Sequence, residues 1–241
     1  MKKTMMMFIL LFSLTAIVIG QTQPAPTVRW FGQSCFLITS SQGKKLMIDP
    51  FGKLGYPPPA VEADLVLVTH EHFDHNNVGV VKGKPVVLHG LTSNGNDYND
   101  IDQTVAGFHV KSFRSYHNAQ KSARNTIFLI EFDGLRLAHL GDIGSPLEPD
   151  TLRAIEKVDV LMIPVGGFYT IGADDAWKDI GLIKPKIVIP MHYQTSRTSN
   201  LPIKSVDVFL AGHSSGVKML SADTAPLVMP KTQEVWVFPV P

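Results

Sequence analysis

Apolar residues along this chain gather into short runs separated by clusters of Gly, Pro, Asn, Asp and Ser, a pattern of many short strands joined by turns. Thr27 to Thr39 is rich in β-branched and aromatic residues. After the turn cluster Ser40-Ser41-Gln42-Gly43, Lys45 to Asp49 returns, so the first unit reads as a β-hairpin that stops at Asp49-Pro50. Residues 51–60, with Tyr56-Pro57-Pro58-Pro59, form a stiff connector. A buried strand is predicted over 64–68, a short helix over 76–81 and another short strand over 86–88, whereas 90–104 is polar enough to be loop.

Phe108 to Tyr116 alternates like a half-buried strand, and Thr126 to Leu140 folds back on itself at Asp133-Gly134 as a second hairpin. Helices are predicted over 149–157, with Asp150 as N-terminal cap, and over 173–180 and 206–211. Strands are predicted over 159–165, opening into the glycine loop 166–172, and over 186–190, 217–220 and 234–240. Strand runs in both halves, separated by helices and by no flexible linker, predict a single α/β (α+β) domain: two packed sheets with helices outside.

The first twenty residues break this pattern. Lys2 and Lys3 precede an apolar run from Met5 to Gly20, interrupted by Ser13 and Thr15, and then a polar stretch follows. A positive start, an apolar core and a small residue near Gly20 predict a signal peptide over 1–20, a tether over 21–27 and a folded domain over 28–241. The run approaches but falls short of the usual spanning length, which leaves an uncleaved membrane anchor as the alternative; after cleavage near Gly20 no stable membrane insertion is expected, and the protein is expected to be periplasmic or secreted. Losing Lys2 and Lys3 takes the formal charge from +1 to −1. That balance gives no field for gathering nucleic acid and favours a small-molecule partner. The single cysteine, Cys35, lies in an apolar strand and leaves no internal disulfide for an exported chain.

The chemistry concentrates at strand ends. Thr69-His70-Glu71-His72-Phe73-Asp74-His75 directly follows the run Leu65 to Val68. In extended backbone, residues two apart point the same way, so His70 and His72 converge, while Asp74 and His75 face a neighbouring point. Neutral imidazole and carboxylate are the ligands zinc prefers. His117, Asp142 and His192 also follow apolar strands, and strand ends at one edge of a sandwich lie close in space. His89, His109 and His213 sit in weak contexts and read as surface or hydrogen-bonded side chains. His139, on the strand before Asp142, reads as a supporting residue.

His-x-His-x-Asp-His after a strand, a later His, a Gly-Asp and a Pro-x-His-Tyr together resemble the metallo-β-lactamase superfamily. The likeness is to its small metal-dependent hydrolase branch, the one that includes UPF0173-like and ascorbate-6-phosphate lactonase-like proteins, and it extends from Trp30-Phe31-Gly32-Gln33-Ser34 through Ile48-Asp49-Pro50-Phe51 to the closing strands. The resemblance implies a four-layer αββα sandwich with its site between the sheet edges. It implies His70, His72 and His117 as ligands of one divalent metal ion and Asp74, His75 and His192 as ligands of a second, with Asp142 bridging. It also implies that Asp49 holds the histidine loop by hydrogen bonds. Gln33 departs from the pattern, since many relatives have His there.

Two such cations, zinc with manganese as the alternative, share a bridging carboxylate and a bridging hydroxide. Each lowers the pKa of bound water from about 15.7 to about 7. The expected activity is hydrolysis of an ester, lactone or phosphodiester, with Asp74 orienting the nucleophile and moving a proton. Asp at position 142, rather than Cys or His, resembles the lactonase, thioesterase, phosphodiesterase and RNA-processing branches, of which RNA processing fits poorly with export and a near-neutral charge. Phe168 and Tyr169, in the glycine loop, are candidate substrate-wall residues. Two other readings are a mononuclear iron oxidoreductase on the same fold and an exported metal-binding protein without turnover.

Overall fold

Alternation along the early strands decides how the first sheet packs. In this computed structural model, which describes residues 23–241, β1 (Thr27–Gly32), β2 (Cys35–Thr39) and β3 (Lys45–Ile48) form an antiparallel meander. The leader expected over 1–20 lies outside the described residues. β4 (Leu65–Val68) and β5 (Val86–His89) extend the meander in parallel. Phe36, Ile38, Leu46, Ile48, Leu65 and Leu67 project into the main core. Their neighbours Cys35, Leu37, Met47, Val66 and Val68 project the other way, into a smaller cluster with Phe51 and Tyr56. The strands are therefore apolar on both faces, which is why their sequence shows runs instead of alternation.

The second sheet is built from β6 (Asp102–Val105), β7 (Phe108–Tyr116), β8 (Arg124–Phe132), β9 (Leu135–His139), β10 (Val160–Pro164), β11 (Ile187–Met191), β12 (Val217–Met219) and β14 (Glu234–Val237). Its spatial order is β12-β14-β11-β10-β9-β8-β7-β6. β6 to β9 are antiparallel, and β9, β10, β11, β14 and β12 run parallel. A further strand, β13 (Thr224–Pro226), pairs with β1 in the first sheet. Helices α1 (Pro149–Ile155), α2 (Ala173–Ile183) and α3 (Val206–Leu210) follow β9, β10 and β11. They supply Ile155, Ala176, Ile180, Ile183 and Phe209 to the main core. The architecture is the α/β sandwich expected of two packed sheets.

Five details differ from the sequence reading. The run 27–39 is two strands, because Gly32 (φ 107°) and Gln33 (φ 50°) reverse the chain at Gln33-Ser34. The stretch read as loop ends in β6, whose polar Asp102-Gln103-Thr104 suits an edge strand. The short strand β13 carries no apolar run and was not anticipated. Asp150 does not cap α1: Glu148 occupies that position without a side-chain bond, and Pro149 starts the helix. Finally, the outer face of the first sheet is covered by the 51–63 connector and one 3-10 turn, Val78–Val80, rather than by a full helix. Among the described residues, no helix is long and apolar enough to cross a membrane.

One directional rule places the chemistry. β3, β4, β7, β9 and β11 all finish at the same edge of the sandwich, each delivering a polar residue there.

Candidate metal centre

The seven residues singled out from the sequence meet at this edge. Side-chain atoms of His70, His72 and His117 form one group, and those of Asp74, His75, Asp142 and His192 a second; within each group all ligand atoms lie within 4.8 Å of one another. Asp142 Oδ2 joins the groups. It lies 3.1 Å from His75 Nε2, 3.1 Å from His192 Nε2, 3.4 Å from His117 Nε2 and 4.0 Å from His70 Nε2.

The local chain explains this convergence. After β4 the backbone turns tightly, with His75 and Asn76 N–H donating to His72 C=O, so His75 folds back beneath His70. Thr126 N–H donates to Thr69 C=O, and His192 N–H to Gln33 C=O. These bonds link the two sheets beside the site. Gln33, Asp49 and His192 all have left-handed backbone (φ 50°, 48° and 51°), which non-glycine residues adopt only where surrounding contacts enforce it. Gly144 and Gly166 let the chain press against the carbonyls of His117 and His192, where a Cβ would overlap backbone.

Asp49 fixes two ring orientations at once. Buried completely, it accepts hydrogen bonds from Thr69 N–H, Thr69 Oγ1–H and His75 Nδ1–H, at 2.8, 2.8 and 2.9 Å. Since the Thr69 hydroxyl proton goes to Asp49, its oxygen accepts from His70 Nδ1–H at 2.9 Å. Both imidazoles are thus held with Nδ1–H outward and Nε2 turned inward.

Asp142 is placed as firmly. Its N–H donates to Asn125 Oδ1, and Ser34 Oγ donates to its Oδ1 at 3.3 Å. His139 donates from Nε2 to Ser34 C=O and accepts Gly141 N–H at Nδ1, which defines a neutral, buried ring outside the two groups. Its burial lowers its pKa accordingly.

The electrostatics are those of a cation site. Burial opposes charge on Asp142, but the His192 and His75 rings outweigh it and hold the carboxyl well below the usual range. Burial, then the neighbouring His75, keeps His70 well below an ordinary histidine. Burial also opposes charge on His75, yet Asp142, Asp74 and Asp49 together raise its pKa well above normal. His75 Nε2 is buried, makes no directed hydrogen bond, and faces Asp142 Oδ2 at 3.1 Å and Asp74 Oδ2 at 3.5 Å. A buried ring nitrogen facing two carboxylates calls for positive charge there, carried by a proton on the ring or by a metal ion in its place. Imidazole and carboxylate donors with no Lys or Arg among them suit a divalent ion such as zinc.

A cavity of about 450 Å3 opens over these residues, lined by Gln33, Glu71, His72, Asp74, His117, Asp142 and His192 together with Leu54, Phe73, Tyr169 and Leu201. Tyr169 is therefore in the wall. Phe168 is not; it packs edge-on against Tyr169, 4.7 Å between ring centroids, and is otherwise exposed. A larger concavity of about 590 Å3 beside β6 and β7 holds none of the clustered donors.

Sequence reasoning did not identify Ser34, Thr69 or Asn125, whose roles depend on partners far along the chain. Nor did it identify Leu54, Phe73 and Leu201, which come from three separate loops. Gln33 stood out only as a departure from a pattern; its Nε2 donates to Asp74 Oδ2 at 3.2 Å. His89, His109 and His213 are engaged elsewhere, with Glu71, with Asp102 and against Trp177.

Two mixed sheets face to face, with His and Asp gathered where their strands end, define the metallo-β-lactamase class of fold. Residues 27–192 match the family model described as the β-lactamase superfamily domain. The chain is 32% identical over 194 residues to a UPF0173 metal-dependent hydrolase of Archaeoglobus fulgidus, covering 70% of this chain and 83% of that protein. It is 32% identical to another of the same description from Thermococcus onnurineus, covering 70% and 84%. A metallo-β-lactamase superfamily protein of known structure from Thermotoga maritima superposes with a TM-score of 0.73 at 33% identity, over 90% of this chain and all of that one. The chain belongs to the β-lactamase superfamily, within its UPF0173 metal-dependent hydrolase branch.

Proposed function

We propose that this protein is a dinuclear hydrolase that cleaves an ester, lactone or phosphodiester of a small molecule. One observation carries the reading: two adjacent donor clusters are joined by a single carboxylate oxygen, Asp142 Oδ2, which lies within 4.0 Å of ring nitrogens from both. His70, His72 and His117 would hold one divalent cation and Asp74, His75 and His192 the other, with Asp142 between. Zinc fits this donor set, with manganese as the alternative. The two ions, when bound, supply Lewis acidity and acidify water at neutral pH.

The chain's own groups do the rest. Asp74 lines the cavity, and Gln33 fixes one of its oxygens. Burial opposes its charge, but the His75 ring keeps its pKa below the ordinary carboxylate value, so it is ionised at neutral pH. It can therefore take a proton from an attacking water and pass it to the leaving group. Asp49, acting through Thr69 and His75, keeps the Nε2 atoms of His70 and His75 turned inward. The apolar leader favours export, with hydrolysis outside the cytoplasm.

The test is elemental analysis of purified protein lacking residues 1–20, combined with a panel of esters, lactones and phosphodiesters. Two zinc or manganese ions per chain with turnover on the panel supports the proposal. One iron with oxygen uptake identifies an oxidoreductase instead, and tightly bound metal with no turnover identifies a binding protein.

A further inference from the structure

We infer that the cavity over the metal centre selects an uncharged ester or lactone carrying an apolar tail, not a substrate with an anionic group remote from the reacting bond. This rests on the hydrolytic reading above and narrows it to one substrate class.

The first observation is the wall. Leu54 comes from the connector after β3, Phe73 from the histidine loop, Tyr169 from the glycine loop after β10 and Leu201 from the loop after β11. Four separate segments each contribute an apolar or aromatic side chain to one cavity. Phe73, Tyr169 and Leu201 belong to no core cluster, and Leu54 only borders the smaller one. Phe73 is the clearest case: it sits between His72 and Asp74 and is 69% exposed. A large apolar side chain at a cavity mouth, with nothing covering it, is a feature of ligand-binding surfaces.

The second observation is charge. No Lys or Arg lines the cavity, whereas three carboxylates do: Glu71, Asp74 and Asp142. Asp74 and Asp142 belong to the metal centre. Glu71 stands apart from it, held by His89 Nδ1 at 2.7 Å and by Asn76 Nδ2 at 3.2 Å. A phosphate or carboxylate carried on the far end of a substrate, away from the metal centre, would meet Glu71 with no Lys or Arg in the wall to offset it, and would lose hydration on entering. Nor does the wall offer the guanidinium or ammonium groups that share charge across the outer oxygens of a phosphoryl group. An alkyl or acyl chain of several carbons meets neither obstacle, and the volume suits one.

The reaction is ordinary hydrolysis: water adds to the carbonyl carbon, the C–O bond to the alcohol breaks, and the alcohol leaves with the proton. The apolar chain acts only through binding.

The experiment compares p-nitrophenyl acetate, butyrate, hexanoate and octanoate with the p-nitrophenyl hemiesters of succinic and glutaric acid and with bis(p-nitrophenyl) phosphate, using metal-replete protein. Binding of p-nitrophenyl alkyl ethers of the same lengths is measured in parallel by calorimetry. The inference expects kcat/KM to rise about threefold to fourfold per added methylene until the cavity is filled. The hemiesters should be at least tenfold slower than neutral esters of equal length, and the ethers should bind with the same length dependence. Leu54→Ala and Leu201→Ala, with metal content intact, should flatten the dependence, and Leu201→Lys should favour the glutaric hemiester. Ester turnover without length dependence, or a preference for the hemiesters or the phosphodiester, overturns the inference and leaves hydrolysis standing. Length-dependent ether binding with no turnover of any compound overturns the hydrolytic reading and leaves the cavity's preference standing.

Discussion

Asp49 and His75, twenty-six positions apart, are both fully buried, and Asp49 Oδ2 accepts the His75 Nδ1 proton at 2.9 Å. The same carboxylate reaches His70 through the Thr69 hydroxyl. Asp49→Asn keeps the volume but puts an NH2 where at least one of three donors now points. Expected is a loss of metal affinity of about 10- to 100-fold, from disturbed ring orientation alone. Asp49→Ala leaves His75 buried without its partner and should cost about 3–5 kcal/mol in addition. Competition against a chelator and thermal denaturation measure the two effects. Unchanged affinity in both variants would remove Asp49 from the account.

His117 and His192 test the division into two clusters. His117→Ala removes a donor from the first group and His192→Ala one from the second. Each variant is expected to purify with fewer than two metal ions per chain and to lose most of its hydrolytic activity. If both variants retain two ions, the assignment of ligands is wrong.

Gln33 is expected to matter for turnover more than for metal. Its amide donates to Asp74 Oδ2, while its backbone carbonyl, which any residue would supply, receives His192 N–H and the Trp30 indole. Gln33→Ala should therefore lower kcat about tenfold, the order of one hydrogen bond to a charged group, at nearly full metal content. A drop in metal content of the same size as the drop in kcat would show that the side chain supports the centre itself.

Asp179, on α2, carries a stability prediction away from the site. Burial, with the Asp175 charge one turn earlier adding to it, raises its pKa to about 6, and its Oδ2 has no hydrogen-bond partner. Between the ordinary carboxylate pKa and 6 the folded state binds more protons than the unfolded one, so this group lowers stability as pH rises through that window. Asp179→Asn should stabilise the protein by about 1–3 kcal/mol above pH 6, with the difference fading below pH 4. Denaturant unfolding of both proteins across pH isolates the effect, because the titration of the metal-site groups cancels in the comparison. A difference independent of pH would contradict it.

Glycine substitutions should act with opposite signs at two places. Gly144→Ala and Gly166→Ala drive a methyl into the carbonyls of His117 and His192 and should destabilise by about 1–3 kcal/mol while weakening metal binding. Gly181→Ala, in the exposed interior of α2 with nothing within 4 Å, should stabilise by roughly 0.5–1 kcal/mol through helix propensity. Urea unfolding and metal analysis of the three variants decide.

Much of this was legible in the sequence because two local signals coincided. Runs such as Leu65 to Val68 and Val160 to Pro164 are buried on both faces and announce strands without help from elsewhere. Donor residues placed just beyond such runs, His70, His117, Asp142 and His192, inherit their position from the strand. What escaped had no local cause. β13 is fixed by pairing with β1, nearly two hundred residues away, and β6 by its place at a sheet edge. Asn125 and Ser34 are ordinary polar residues until folding sets them against Asp142. The short helix expected over 76–81 shrinks to the 3-10 turn Val78–Val80, and the connector with Phe51 and Tyr56 covers the rest of that face.

The last tenth or so of the polypeptide runs from β12 in one sheet to β13 in the other and back to β14. It laces the sandwich, gripping β1 near the beginning of the domain on one side and β11, which carries His192, on the other. During synthesis the histidine loop is made early, but the lace that draws its counterpart toward it is made last. Until β14 is in place, β11, whose end delivers His192, has only β10 beside it in the sheet.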